Sequence, residues 1–236
     1  MKTLLGSFLL LLGASATPQE NAPASPAAPA GHRTLELEGF RVHVDLRLLE
    51  SQRELGTAAL AELENQLYRL RRVVPEGPLE KLRAVPIFLG VEDEHGRHPC
   101  ACYHPSREWL VAHGYPAEKE RSVDIANAAN FVAWTREVQP WMVLHELAHA
   151  YHHQVLGHEH AELLQAFEQA RASKRYDAVL YARGDRQRHY ALQNPQEYFA
   201  EGTEAYFGTN DFHPFVRAEL KEMDPALHAL LSSVWR

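Results

Sequence analysis

Residues 194–208, "NPQEYFAEGTEAYFG", place three carboxylates where a fold must provide for them. Read as a helix, the segment sets Glu197, Glu201 and Glu204 at i, i+4 and i+7, within one narrow arc. Tyr198, Phe199, Tyr206 and Phe207 clothe the rest, so most of this helix is expected to be buried. A carboxylate taken out of water is costly unless a positive group or hydrogen-bond donors hold it. Any fold of this chain must therefore set cations or donors opposite these residues, or leave part of the arc in solvent. Glu204, and to a lesser degree Glu201, are the members that solvent would reach under that second option.

The donors are suggested by "MVLHELAHAY", residues 142–151. On a helix His145 and His149 stand one turn apart on one face, so both imidazoles can bind a single metal ion with Glu146 beside it. The motif's surroundings hold no other charge and no proline between the ligands, as a buried metal helix requires. The helix is expected to open at Pro140, a favoured first position, and to close before Gly157.

Two histidines leave a catalytic zinc site incomplete, since three protein ligands and an open position are usual. One known pattern would set a third histidine six residues after His149 and a glycine three after it. Val155 and His152 stand there instead, which excludes it. A second pattern needs a glutamate about twenty residues on and an aspartate four later. Glu168 meets the first condition, but Ala172 fails the second. Glu197 is the better third ligand, with Glu201 one turn on, placed to hydrogen-bond a ligand histidine from behind. Glu197 also completes a capping box with Asn194, a competing use of the same side chain.

The pairing of "HELAH" with "YALQNPQEYFAE" (residues 190–201) resembles the anthrax lethal factor-like metallopeptidases, a group that includes the Pro-Pro endopeptidases. The resemblance covers roughly residues 140–208. It implies a Zn²⁺ site of the gluzincin type held by His145, His149 and Glu197, with Glu146 as general base. It also implies that Tyr190, seven residues before the third ligand, donates its hydroxyl to the developing oxyanion. An ordinary half-buried aromatic role for Tyr190, and His189 as the donor, remain alternatives. Gly202-Thr203 departs from good helix formers and leaves the end of the later helix open. Asp211 is either an orienting partner for a ligand histidine or a loop cap. His152 and His153 lack the ligand spacing.

Organisation along the chain points to an α+β fold, a single zincin-like metallopeptidase domain with short N-terminal strands and a mainly helical C-terminal half. Alternation on both sides of Glu38-Gly39 predicts a hairpin. Leu60, Leu63, Leu67 and Leu70 mark one face of a helix over residues 48–74. Strands are expected at 82–90 and 107–114, the latter edging the cleft and pairing with an extended substrate, and an amphipathic helix at 119–134. Residues 1–16 have the form of a secretory signal peptide, with an apolar run of about 12 residues, short of the ~20 that span a bilayer. Residues 17–31 read as a Pro/Ala-rich disordered linker, leaving 32–236 as the catalytic domain.

The formal net charge is −7 and the basic residues are scattered, which argues against nucleic acid as a partner. The expected partner is a peptide or protein substrate, with no membrane association of the mature form and a secreted or periplasmic location. A zinc-dependent amidase acting on a small or cell-wall peptide, and a non-hydrolytic metal- or partner-binding envelope protein, are the rivals. Glu146 speaks against the latter, because metal binding alone does not need it. Cys100 and Cys102, flanked by His98 and His104, are open to a disulfide, to free thiols or to a second metal.

Overall fold

The computed structural model describes residues 28–236, so the expected signal peptide and most of the linker lie outside it. The chain runs β1 (His32–Leu37), β2 (Phe40–Asp45), α1 (Leu46–Glu50), α2 (Arg53–Val73), α3 (Glu76–Arg83), β3 (Ile87–Leu89), β4 (Ala101–Tyr103), α4 (Arg107–Ala112), β5 (Val123–Ile125) and α5 (Ala128–Glu137). It continues through α6 (Met142–Tyr151), α7 (Ala161–Ser173), a small ribbon of β6 (Val179–Leu180) and β7 (Arg186–Gln187), α8 (Pro195–Phe207), α9 (Arg217–Met223) and α10 (Pro225–Val234). Strands therefore concentrate in the N-terminal half and helices in the C-terminal half, the α+β arrangement read from the sequence.

The main sheet has the order β1-β2-β3-β5-β4, with β2, β3 and β5 parallel and the two outer strands antiparallel. The predicted hairpin forms where Glu38 and Gly39 both take positive φ, 53° and 85°, the twist-matched two-residue turn that such strands favour. β4 is the edge strand that reaches the cleft described below.

Two expected elements differ. Residues 107–114 carry α4, not a strand: Ser106 caps it by accepting from the Trp109 N–H at 3.1 Å, and Val111 faces solvent. A capping serine outweighs short apolar alternation there, so the role of cleft edge passes to β4. Within 119–134 the α-helix begins only at Ala128. Val123 and Ile125 alternate at period two and are buried in the sheet as β5, and Asn127 caps the helix that follows.

α6 starts without a side-chain cap of its own. α2 makes good the deficit: Gln66 Oε1 accepts from the buried Val143 N–H at 3.0 Å, and Arg69 donates to the Pro140 carbonyl while lying over the Trp141 ring. The leucine face of α2 is thereby tied to the helix that bears the two histidines. After Tyr151 the helix widens into one π turn, His152–Leu156, and ends at Gly157 with φ 80°.

Gly202 does not end α8, which runs on to Phe207. A Cβ at Gly202 would lie 2.6 Å from Leu227 Cδ2, so the glycine is what lets α10 close on α8. Gly208 plays the same part against Trp141, whose ring occupies the place of a side chain. Gly208→Ala is expected to destabilise the fold by about 1–3 kcal/mol, a fall of roughly 3–10 °C in a melting curve; an unchanged Tm would show that the Trp141 ring is free to move.

Candidate metal centre

α6 and α8 pack against each other and bring the two halves of the sequence pattern together. His145 Nε2 lies 3.1 Å from His149 Nε2 and 3.1 Å from Glu197 Oε2, and His149 Nε2 lies 3.3 Å from the same oxygen. Three donor atoms at the corners of a near-equilateral triangle are hard to explain by hydrogen bonding alone, since two imidazole nitrogens facing one another share at most one proton. Bonds of ~2.0–2.1 Å in a tetrahedral zinc site require ligand–ligand edges of about 3.3 Å. The donor set and its spacing fit such an ion.

Glu197 is held for this by Asn194, whose Oδ1 accepts from the Glu197 backbone N–H at 2.8 Å. The reciprocal half of a capping box does not form. The Glu197 carboxylate turns to the two histidines instead. Burial raises its pKa, but the hydrogen bonds from His145 and His149 outweigh that and hold it far below the usual range.

Behind the triangle the structure departs from the sequence reading. Glu201 was expected to orient a ligand histidine and Glu204 to be open to solvent. Glu204 is 1% exposed and accepts from His145 Nδ1 at 2.7 Å, whereas Glu201 Oε1 is 3.9 Å from that nitrogen. The reason is rotational. Seven residues bring Glu204 round almost two full turns from Glu197, onto the same line facing α6. The Nδ1–H···Glu204 bond fixes the tautomer in which Nε2 presents its lone pair to the triangle.

The carboxyl group of Glu201 is buried beside Asp211 and Glu204. Burial first, then these two neighbours, push its pKa well above the carboxylate range. Asp211 is raised to about 7, by burial and then by Glu204. His145 runs the other way. Burial alone would lower it, but Glu197 and Glu204 together raise it well above its ordinary value.

Glu146, Tyr190 and Asp211 line a cleft of about 570 Å³ with the triangle, and Cys102, Tyr103 and His153 form part of its wall. Glu146 is buried, and burial above all raises its pKa. Tyr190 is 44% exposed at the cleft. His189, the alternative donor, is buried away from the cleft: Nδ1 accepts from the Ala191 N–H and the ring stacks on Phe212. The wall residues Tyr103 and His153, joined at 2.8 Å, carry no sequence signal, because they meet only through the packing of β4 beside α6.

Neither Cys100 nor Cys102 is in a disulfide. Cys100 is buried with its Sγ 3.3 Å from Met142 Sδ, while Cys102 Sγ is directed at His104 Nε2, 3.5 Å away. No helix among the described residues is long and apolar enough to cross a membrane.

No protein-family model matches the chain, and no curated protein does. Among solved structures it is similar to the Pro-Pro endopeptidase PPEP-2 from Paenibacillus alvei, with 20% identity over 74% of this chain and 89% of that one, at a TM-score of 0.44. The likeness is one of outline, and the chemistry at the centre rests on the side chains of this chain.

Proposed function

We propose that the protein is an exported zinc-dependent metallopeptidase of the gluzincin type that hydrolyses peptide bonds. The observation that carries this reading is the triangle of His145, His149 and Glu197 with the buried carboxyl group of Glu146 in the same cleft. When bound, the zinc ion would supply a Lewis acid for the scissile carbonyl and make a water acidic enough to lose a proton near neutral pH.

The chain's own residues then divide the work. Glu146 takes the proton of the attacking water and delivers it to the leaving amine nitrogen. The Tyr190 hydroxyl donates to the carbonyl oxygen as negative charge builds there. Glu204 keeps His145 in one tautomer, and the edge of β4 offers backbone N–H and C=O groups to an extended peptide.

Zinc-loaded protein incubated with a diverse library of internally quenched peptides is expected to cleave some of them, to stop on chelation and to recover on addition of zinc. A fully loaded protein that cleaves none would overturn the peptidase reading. Tyr190→Phe is expected to lower kcat by about 10²–10³-fold with little change in KM. A change in KM alone would make Tyr190 a substrate contact only.

A further inference from the structure

A second group of ligand-type side chains stands on and around β4, with His98 and Cys102 in the wall of the same cleft. We infer that His98, Cys102 and His104, with Asp124 beside them, form a second, separate metal site that takes a borderline-soft divalent cation, Zn²⁺ foremost. The ligand atoms of the first three all lie within 4.8 Å of one another. Cys102 Sγ is 3.5 Å from His104 Nε2, the S···N edge of a tetrahedron with Zn–S of ~2.3 Å and Zn–N of ~2.0 Å. Asp124 Oδ2 is 3.2 Å from the same nitrogen, the matching N···O edge, and supplies the fourth donor.

The cluster is built rather than incidental. Cys102 and Asp124 are cross-strand partners in the β4–β5 ladder, so the pleat points both side chains to one face. Asp93 accepts the backbone N–H groups of His95, Arg97 and His98, which fixes the loop that presents the third ligand. Asp93 also accepts the Tyr115 hydroxyl. Two buried polar atoms have no partner, His98 Nε2 and Asp124 Oδ1. Hydrogen bonding within the cluster satisfies neither, although Lys119 reaches Asp124 Oδ2 at 2.7 Å. Buried orphans of this kind call for an explanation, and a cation provides one for the lone pair of His98 Nε2. Thiolate with imidazole and carboxylate is a donor set that suits zinc. On binding, the Cys102 S–H bond gives its proton to solvent and an S–metal bond replaces it, with no change of oxidation state.

An ion held here would pin the 93–98 loop to the sheet edge that walls the cleft. It would act on the shape of that wall and would not depend on the site at His145. Because only this second site has a sulfur ligand, the two sites can be told apart spectroscopically. Wild type, Cys102→Ser and Glu197→Ala are loaded with Co²⁺, and both the metal content and the near-ultraviolet thiolate-to-cobalt charge-transfer band are recorded.

Two ions per wild-type chain are expected. Glu197→Ala should lose one ion and keep the band, and Cys102→Ser should lose one ion and the band. A wild-type protein with no such band overturns the inference, as does a band that survives in Cys102→Ser. Should Cys102→Ser fail to fold, His98→Ala decides: a weakened band with reduced cobalt affinity supports the site, and an unchanged one overturns it. Failure of the peptidase reading would show separately, as a band and a second ion in a protein that cleaves nothing.

Discussion

Glu146→Gln is expected to lower peptide hydrolysis by about 10³-fold while zinc content and Tm stay those of the parent. The carboxylate is buried in the cleft, and glutamine has nearly the same volume. What goes is the proton shuttle alone, since an amide neither takes a proton from the attacking water nor returns one to the amine. Steady-state kinetics beside elemental analysis on the same preparations make the test. Full activity in the variant would remove Glu146 from the chemistry. Loss of activity together with loss of zinc would make it a structural residue instead.

Glu197→Ala carries the second large effect, a loss of zinc affinity on the order of 100-fold or more, since deleting a ligand costs at least what deleting a ligand's partner does. The variant is expected to stay folded, because Asn194 caps α8 through the Glu197 backbone N–H, which alanine retains. Glu204→Ala is expected to weaken zinc binding by about 10–100-fold by releasing His145 Nδ1, and Glu201→Gln to weaken it less. Equal zinc retention in wild type and Glu197→Ala would refute the three-ligand site.

The same site predicts a pH dependence. His145 has its pKa raised in the folded protein by Glu197 and Glu204, so its proton competes with the metal. Apparent zinc affinity should therefore rise with pH through the raised folded value, because binding must release that proton. Competition titrations with a chelator at pH 6 and pH 8 measure it, and an affinity that does not change would count against proton release at His145.

A helix between Pro140 and Gly157 with His145 and His149 one turn apart was legible in the sequence. A second helix opening at Asn194-Pro195 with its carboxylates on one line was legible too, although its end was not, since periodicity and local capping carry both. The hairpin at Glu38-Gly39 and the leucine face of α2 were legible for the same reason, each being decided within a few residues.

Which carboxylate faces which nitrogen was settled by packing between helices. Glu201 and Glu204 are both on the arc, and the choice between them depends on the angle at which α8 meets α6. Gly208 bears on that packing by yielding its side-chain space to Trp141 at the start of α6. A residue's own neighbours in sequence carry no record of that angle, so Glu204 could not be told from a solvated glutamate. Short apolar runs suit strand and helix alike: at 107–114 the local cap at Ser106 decides for a helix, whereas at 123–125 only the ladder with β3 decides for a strand. The gathering of His98, Cys102, His104 and Asp124 likewise needed the β4–β5 register, which joins residues about twenty positions apart through backbone hydrogen bonds that no local pattern specifies.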